Sequence, residues 1–175
     1  EKKERIEERA KEVEREHREI VKRDEEELER VREEHEESVR RDRKALEDVE
    51  RDVRRDGIEK EVLDEIKKRL ERSREKLDKL SRDVEKELEE SKRKLEKLSR
   101  ESKKKLEDLR RELTRGEVPM EDMLRKVKEV ADENRERLKE LHEENERTAR
   151  RLRKLNRELH EENKRLVEEI KKEAK

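Results

Sequence analysis

Apolar residues recur every 18 positions in this chain, and the polar residues that interrupt them recur with the same period. In the first third the seam reads Ile6, Ala10, Val13, His17, Val21, Asp24, Leu28, Val31, His35, Val39, Asp42, Leu46, Val49 and Val53. The steps run 4, 3, 4, 4, 3 and begin again. Eighteen residues make about five turns at about 3.6 residues per turn, so the seam follows one face of an undistorted helix. A heptad pattern would drift and impose a left-handed supercoil, whereas this pattern predicts nearly straight helices. A second stripe carries Leu70, Leu77, Leu80, Val84, Leu88, Leu95, Leu98, Leu106 and Leu109.

The seam is interrupted at two places, which hold both glycines and the single proline. Gly57 follows Asp56, and Gly116 is followed by Glu117, Val118 and Pro119. Each glycine suits the left-handed residue just past a helix end, with an apolar residue after it to close the turn. Pro119 suits the first turn of a new helix. Acidic residues open the second helix at Glu59, Glu61, Asp64 and Glu65, and the third at Glu117, Glu121 and Asp122. Arg54, Arg55, Arg110, Arg111, Lys171 and Lys172 lie at the other ends, in the sense the helix dipole favours.

The expected fold is all-α: a single-chain antiparallel three-helix bundle with long, nearly straight helices and an 18-residue repeat. It forms one domain over 1–175, with helix 1 at about 1–55, helix 2 at about 58–114 and helix 3 at about 119–173. Each helix would be about 80 Å long. The competing reading, one helix running through both glycines, leaves the apolar stripes unburied.

Composition tests this reading. Charged residues make up 65% of the chain and hydrophobic ones 25%, with no aromatic residue and no cysteine. Such a composition also suits a disordered polyampholyte or a lone salt-bridged helix. Neither has a use for a regular apolar stripe. Residues 1–55 are modestly acidic on balance, 58–115 modestly basic and 117–175 balanced, so neighbouring helices complement each other. No segment is basic enough for nucleic acid, and no aromatic can stack a base. No apolar run is long enough for a signal peptide or a membrane span. The chain opens at Glu1 without an initiator Met, as expected after removal of a tag or leader. Localisation is otherwise unmarked.

The polar interruptions carry the candidate chemistry. His17 and His35 are 18 apart, as are His142 and His160, Asp24 and Asp42, Ser73 and Ser91, Ser81 and Ser99, and Asn145 and Asn163. Leu141-His142-Glu143-Glu144-Asn145 returns as Leu159-His160-Glu161-Glu162-Asn163. With turns near Gly57 and Glu117, residue i of helix 1 lies level with about 114−i of helix 2 and i+120 of helix 3, to about three residues. His35 is then level with Ser81 and Asn156. Asp24 is level with Ser91, His142 and Asn145, and Asp42 with Ser73, His160 and Asn163. His17 meets Ser99, with Leu138 opposite and Asn134 about a turn away. Buried polar groups without partners cost about 1–3 kcal/mol each, so these layers are expected to form cross-helix hydrogen-bond networks. The alternative is a set of boundary residues touching water, a reading strongest for Asp24 and Asp42.

Sharper chemistry fits less well. Glu14-x-x-His17 has the spacing of a di-iron bundle ligand pair but occurs once, whereas such sites need two copies. His35, His142 and His160 have Arg32, Lys139 and Arg157 three positions earlier. No metal or other cofactor is expected. Histidine beside serine has the residue types of acyl transfer, but a packed seam supplies neither pocket nor oxyanion hole, so no enzyme is expected. With two glycines there is no phosphate loop.

Near-ideal repeats, Leu/Val/Ile seams, surfaces of Glu, Lys and Arg, the two glycine turns and layers of His, Ser and Asn resemble de novo designed helical bundles. More narrowly, the chain resembles parametrically generated, untwisted three-helix bundles with buried hydrogen-bond networks. That resemblance implies a very stable scaffold without evolved activity. It also implies an alternative, because some such bundles use buried histidines as pH switches. Spectrin-type repeats fit poorly, being shorter and built around a core Trp that is missing here. The leading expectation is a monomeric scaffold that requires no partner. A pH-responsive bundle and a helix-pairing interaction module are the alternatives, and the seam does not distinguish a monomer from a domain-swapped dimer.

Overall fold

The computed structural model describes residues 2–116 and 118–174. They form three helices: α1 (Lys2–Arg55), α2 (Lys60–Arg115) and α3 (Met120–Glu173). The helices pack on one another as an all-α three-helix bundle. Expected helix openings at Glu1 and Glu117 fall outside the described residues.

Both glycines take the left-handed conformation the turns require, with φ of 64° at Gly57 and 68° at Gly116. The Gly116 amide donates to the Glu112 carbonyl at 3.2 Å, the bond of a left-handed helix cap. Helix α2 starts at Lys60, two residues later than expected, because Ile58 turns back to pack on apolar side chains and the Glu59 carbonyl accepts the first bond, from Leu63. Helix α3 starts at Met120, and Pro119 just before it accepts from the Met123 amide.

The chain divides into two compact units. Unit 1 comprises Glu1–Leu28 and Glu89–Arg147, and unit 2 comprises Glu29–Leu88 and Thr148–Lys175. In unit 1, Ile6, Ala10 and Val13 of α1 pack with Leu106, Leu109 and Leu113 of α2 and Met123, Val127 and Ala131 of α3. Val118, after the Gly116 turn, packs against this cluster. In unit 2, Val39, Leu46, Val49 and Val53 pack with Ile66, Leu70, Leu77 and Ile170. Each core is built mostly of Leu, Ile and Val, and burying one of these contributes about 1.5–3 kcal/mol.

Ion pairs set the direction of the helices within each unit. In unit 2, Arg32 pairs with Glu85, Arg43 with Asp78 and Arg74 with Glu50, so α1 and α2 run antiparallel. In unit 1, Lys94 pairs with Glu144, Arg137 with Glu101 and Lys105 with Glu133, so α2 and α3 are antiparallel too. Helices α1 and α3 are parallel, with Arg135 on Glu16 and His142 on Asp24 in unit 1, and Arg153 on Glu34 and His160 on Asp42 in unit 2. Most of these pairs are exposed and contribute roughly 0.2–1 kcal/mol each, so they complement the register more than they stabilise it. Glu50, which is more enclosed, has its carboxyl held below the usual range by its hydrogen bond from Arg74.

Candidate functional site

The helical repeat puts every seam histidine of α1 on the inward face, where imidazole needs partners for two nitrogens. His35 in unit 2 has both. Its Nδ1 lies 3.1 Å from Asn156 Oδ1 and its Nε2 lies 3.1 Å from Ser81 Oγ. An amide oxygen only accepts, so Nδ1 carries the proton and Ser81 donates to Nε2. His35 is buried, and that burial pushes its pKa down against the smaller upward pull of the Asn156 hydrogen bond.

Asp42, also buried, receives two donors from α3. His160 Nδ1 lies 2.6 Å from one carboxylate oxygen, and Asn163 Nδ2 donates to the other at 3.2 Å. Unit 1 repeats this arrangement 18 residues earlier. His142 Nδ1 lies 2.6 Å from Asp24 Oδ1, and Asn145 Nδ2 donates to Asp24 Oδ2 at 3.3 Å. The aspartates are thus enclosed rather than at the boundary, and two donors each offset their loss of water. Their histidines are the boundary residues, with side chains 46% exposed at His142 and 45% at His160. His142 has a further contact, its Nε2 lying 2.9 Å from Glu146 Oε1. Its pKa is raised first by the Asp24 hydrogen bond, with desolvation acting the other way.

The structure corrects two expectations. The first concerns Ser91 and Ser73. Both are buried, but among the described residues neither hydrogen-bonds to the Asp–His–Asn group at its height. Each aspartate already uses both oxygens on α3, while Asn145 Oδ1 and Asn163 Oδ1 are left without a partner. The second concerns His17, Ser99 and Asn134, which were expected to form one layer. Asn134 instead donates to Ser102 at 2.6 Å, and both ring nitrogens of His17 are buried without partners among the described residues.

The reason lies in where the repeat fails. The residue 18 before Asn156 is Leu138, which cannot accept a hydrogen bond from His17. Val84 and Leu152 of unit 2 have Ser102 and Asn134 as their counterparts, so a polar pair replaces an apolar one a turn away. With no compensating bond, burial alone pushes the His17 pKa down. Asn134 and Ser102 satisfy each other.

Two participants were missed from the sequence. Ser102 fills the gap between Leu98 and Leu106 in the α2 seam, a position whose periodicity marks it as inward-facing. Glu146 stands one turn after His142, the spacing at which helical side chains meet.

Grooves run beside these layers. One of about 470 Å³ is lined by Ile20, Asp24, Leu138 and His142 in unit 1. Another of about 460 Å³ is lined by His17, Ser99 and Ser102. Glu14, the carboxylate of the Glu-x-x-His spacing, accepts from Arg110 at 3.3 Å, which occupies it with an ion pair. Among the described residues no three His, Cys, Asp or Glu side chains converge on a common point. Chemically, the layers can join α1 to α3 and hold two imidazoles in fixed orientation by their Nδ1 atoms. In comparison with known proteins, the chain matches no family model, no curated protein and no solved structure.

Proposed function

We propose that the chain is a structural scaffold, a designed single-domain bundle whose role is to hold three long helices in one register. The supporting observation is the recurrence of a whole polar layer. The same atoms of Asp24, His142 and Asn145 and of Asp42, His160 and Asn163 meet at matching distances. Aliphatic burial drives helix association but tolerates slippage. A one-turn slip would bury each aspartate without its donors, costing about 1–3 kcal/mol for every group left unpaired. The layers therefore act on specificity, as buried polar residues do in other helical assemblies.

The test is a mass measurement by sedimentation, with chemical unfolding beside it. A monomer of 21.7 kDa that unfolds cooperatively is the expected result. A stable mass of two or more copies would replace the monomeric scaffold with the self-associating, helix-pairing reading.

A second reading has its own support. His17 and His35 are buried with lowered pKa values, so acid opposes the fold at both sites. A bundle that switches with pH would lose its helical signal at pH 5 without denaturant. The scaffold reading requires that signal to persist.

A further inference from the structure

The two Asp–His pairs are alike at Nδ1 and differ at Nε2. In unit 1, Nε2 of His142 is held by Glu146, one helical turn on. The corresponding residue after His160 is Lys164, which cannot accept a hydrogen bond from imidazole. Among the described residues nothing partners Nε2 of His160, while its Nδ1 is fixed on Asp42 at 2.6 Å. Its side chain is 45% exposed, whereas His17 and His35 are buried. Neutral imidazole with its proton on Nδ1 presents a lone pair at Nε2.

We propose that His160 is a nucleophile toward acyl donors, with Asp42 as its positioning residue. Nε2 attacks the carbonyl carbon, and the bond from that carbon to the leaving oxygen breaks, the departing group taking the electron pair. The ring becomes an acylimidazolium whose Nδ1 proton points at the Asp42 carboxylate, which stabilises the new charge as it does in hydrolytic Asp–His pairs. That proton then passes to water, leaving a neutral acylimidazole. Asn163, on the other Asp42 oxygen, keeps the carboxylate oriented.

The probe is diethyl pyrocarbonate, applied to the full folded chain at pH 7.5. Carbethoxylation of each histidine is timed by peptide mass mapping. His160 is expected to react first, about tenfold ahead of His142, whose Nε2 must give up its hydrogen bond to Glu146 before it can attack. Two exposed substitutions exchange the sites: Glu146→Lys should bring His142 up to the rate of His160, and Lys164→Glu should slow His160. Asp42→Asn should slow His160 about tenfold, since an amide stabilises the cation less. His35 in the same molecule reports whether that substitution has merely opened the fold, because opening would make His35 reactive as well. Equal rates at all four histidines, a faster His142 in the parent chain, unchanged rates after the exchange, or an Asp42→Asn rate equal to the parent's would each overturn the proposal.

Discussion

Ser81 and Ser99 stand 18 residues apart at equivalent points of α2, yet among the described residues only Ser81 meets a histidine, at His35 Nε2. The difference should be measurable. Ser81→Ala leaves a buried ring nitrogen without a partner and should cost about 1–3 kcal/mol. Ser99→Ala removes no hydrogen bond to His17, whose nitrogens are already unpartnered, and should fall within about half a kcal/mol. Urea titrations of both variants decide it, and equal losses would mean that His17 is bonded to Ser99 after all. Apolar positions make a parallel contrast. Leu88 is buried, so Leu88→Ala should cost about 2–5 kcal/mol. Leu155 is 40% exposed, and Leu155→Ala should cost well under 1 kcal/mol. A Leu88→Ala variant as stable as the parent would remove that residue from the core. Periodicity made the core legible at this scale, since all the α1 seam positions, polar ones included, are buried. It carried less for the polar partners. Height along an axis says which residues are level, whereas a hydrogen bond also needs the right rotation and an atom of the right kind, and Leu138 offers His17 neither donor nor acceptor.

At the scale of the element, two glycines set where each helix ends. Built-in side chains at Gly57 and Gly116 would meet nothing within 4 Å, so their replacement is opposed by backbone conformation alone. With φ of 64° and 68°, Gly57→Ala and Gly116→Ala should each cost about 1–2 kcal/mol. Thermal or urea unfolding of the two single variants checks this, and a neutral effect at either site would show that the turn there relaxes to another shape. These turns were readable because the two glycines of the chain fall there, each with an apolar residue, Ile58 or Val118, one or two positions on. Helix starts were less so. Nothing in the helix propensity of Ile58 bars it from α2, but its packing against the unit 2 core draws it out of the helix, a tertiary effect that local sequence does not carry.

For the whole molecule, acid is the informative variable, because the histidines pull in opposite directions. His17 and His35 have folded pKa values below the ordinary 6.5, so the unfolded chain binds more protons, and their contribution falls as pH drops through 6.5 toward the folded values. His142 has its folded pKa raised, so its contribution is complete below 6.5 and is lost as pH rises through the folded value. The lowered carboxylates, Glu50 and Glu133, contribute above 4.5 and lose that contribution only in stronger acid, so they stay silent between pH 7.5 and pH 5. Titrating with urea at those two pH values should therefore show a modest fall in stability at pH 5 with the helical signal intact before denaturant is added. His142→Gln isolates the compensating group. Without an imidazole to gain a proton beside Asp24, the variant should lose more stability than the parent between pH 7.5 and pH 5. A smaller loss in the variant would mean that the Asp24–His142 pair does not stabilise in acid. That result would add His142 to His17 and His35 among the groups that acid turns against the fold and move the balance toward a bundle that acid can open.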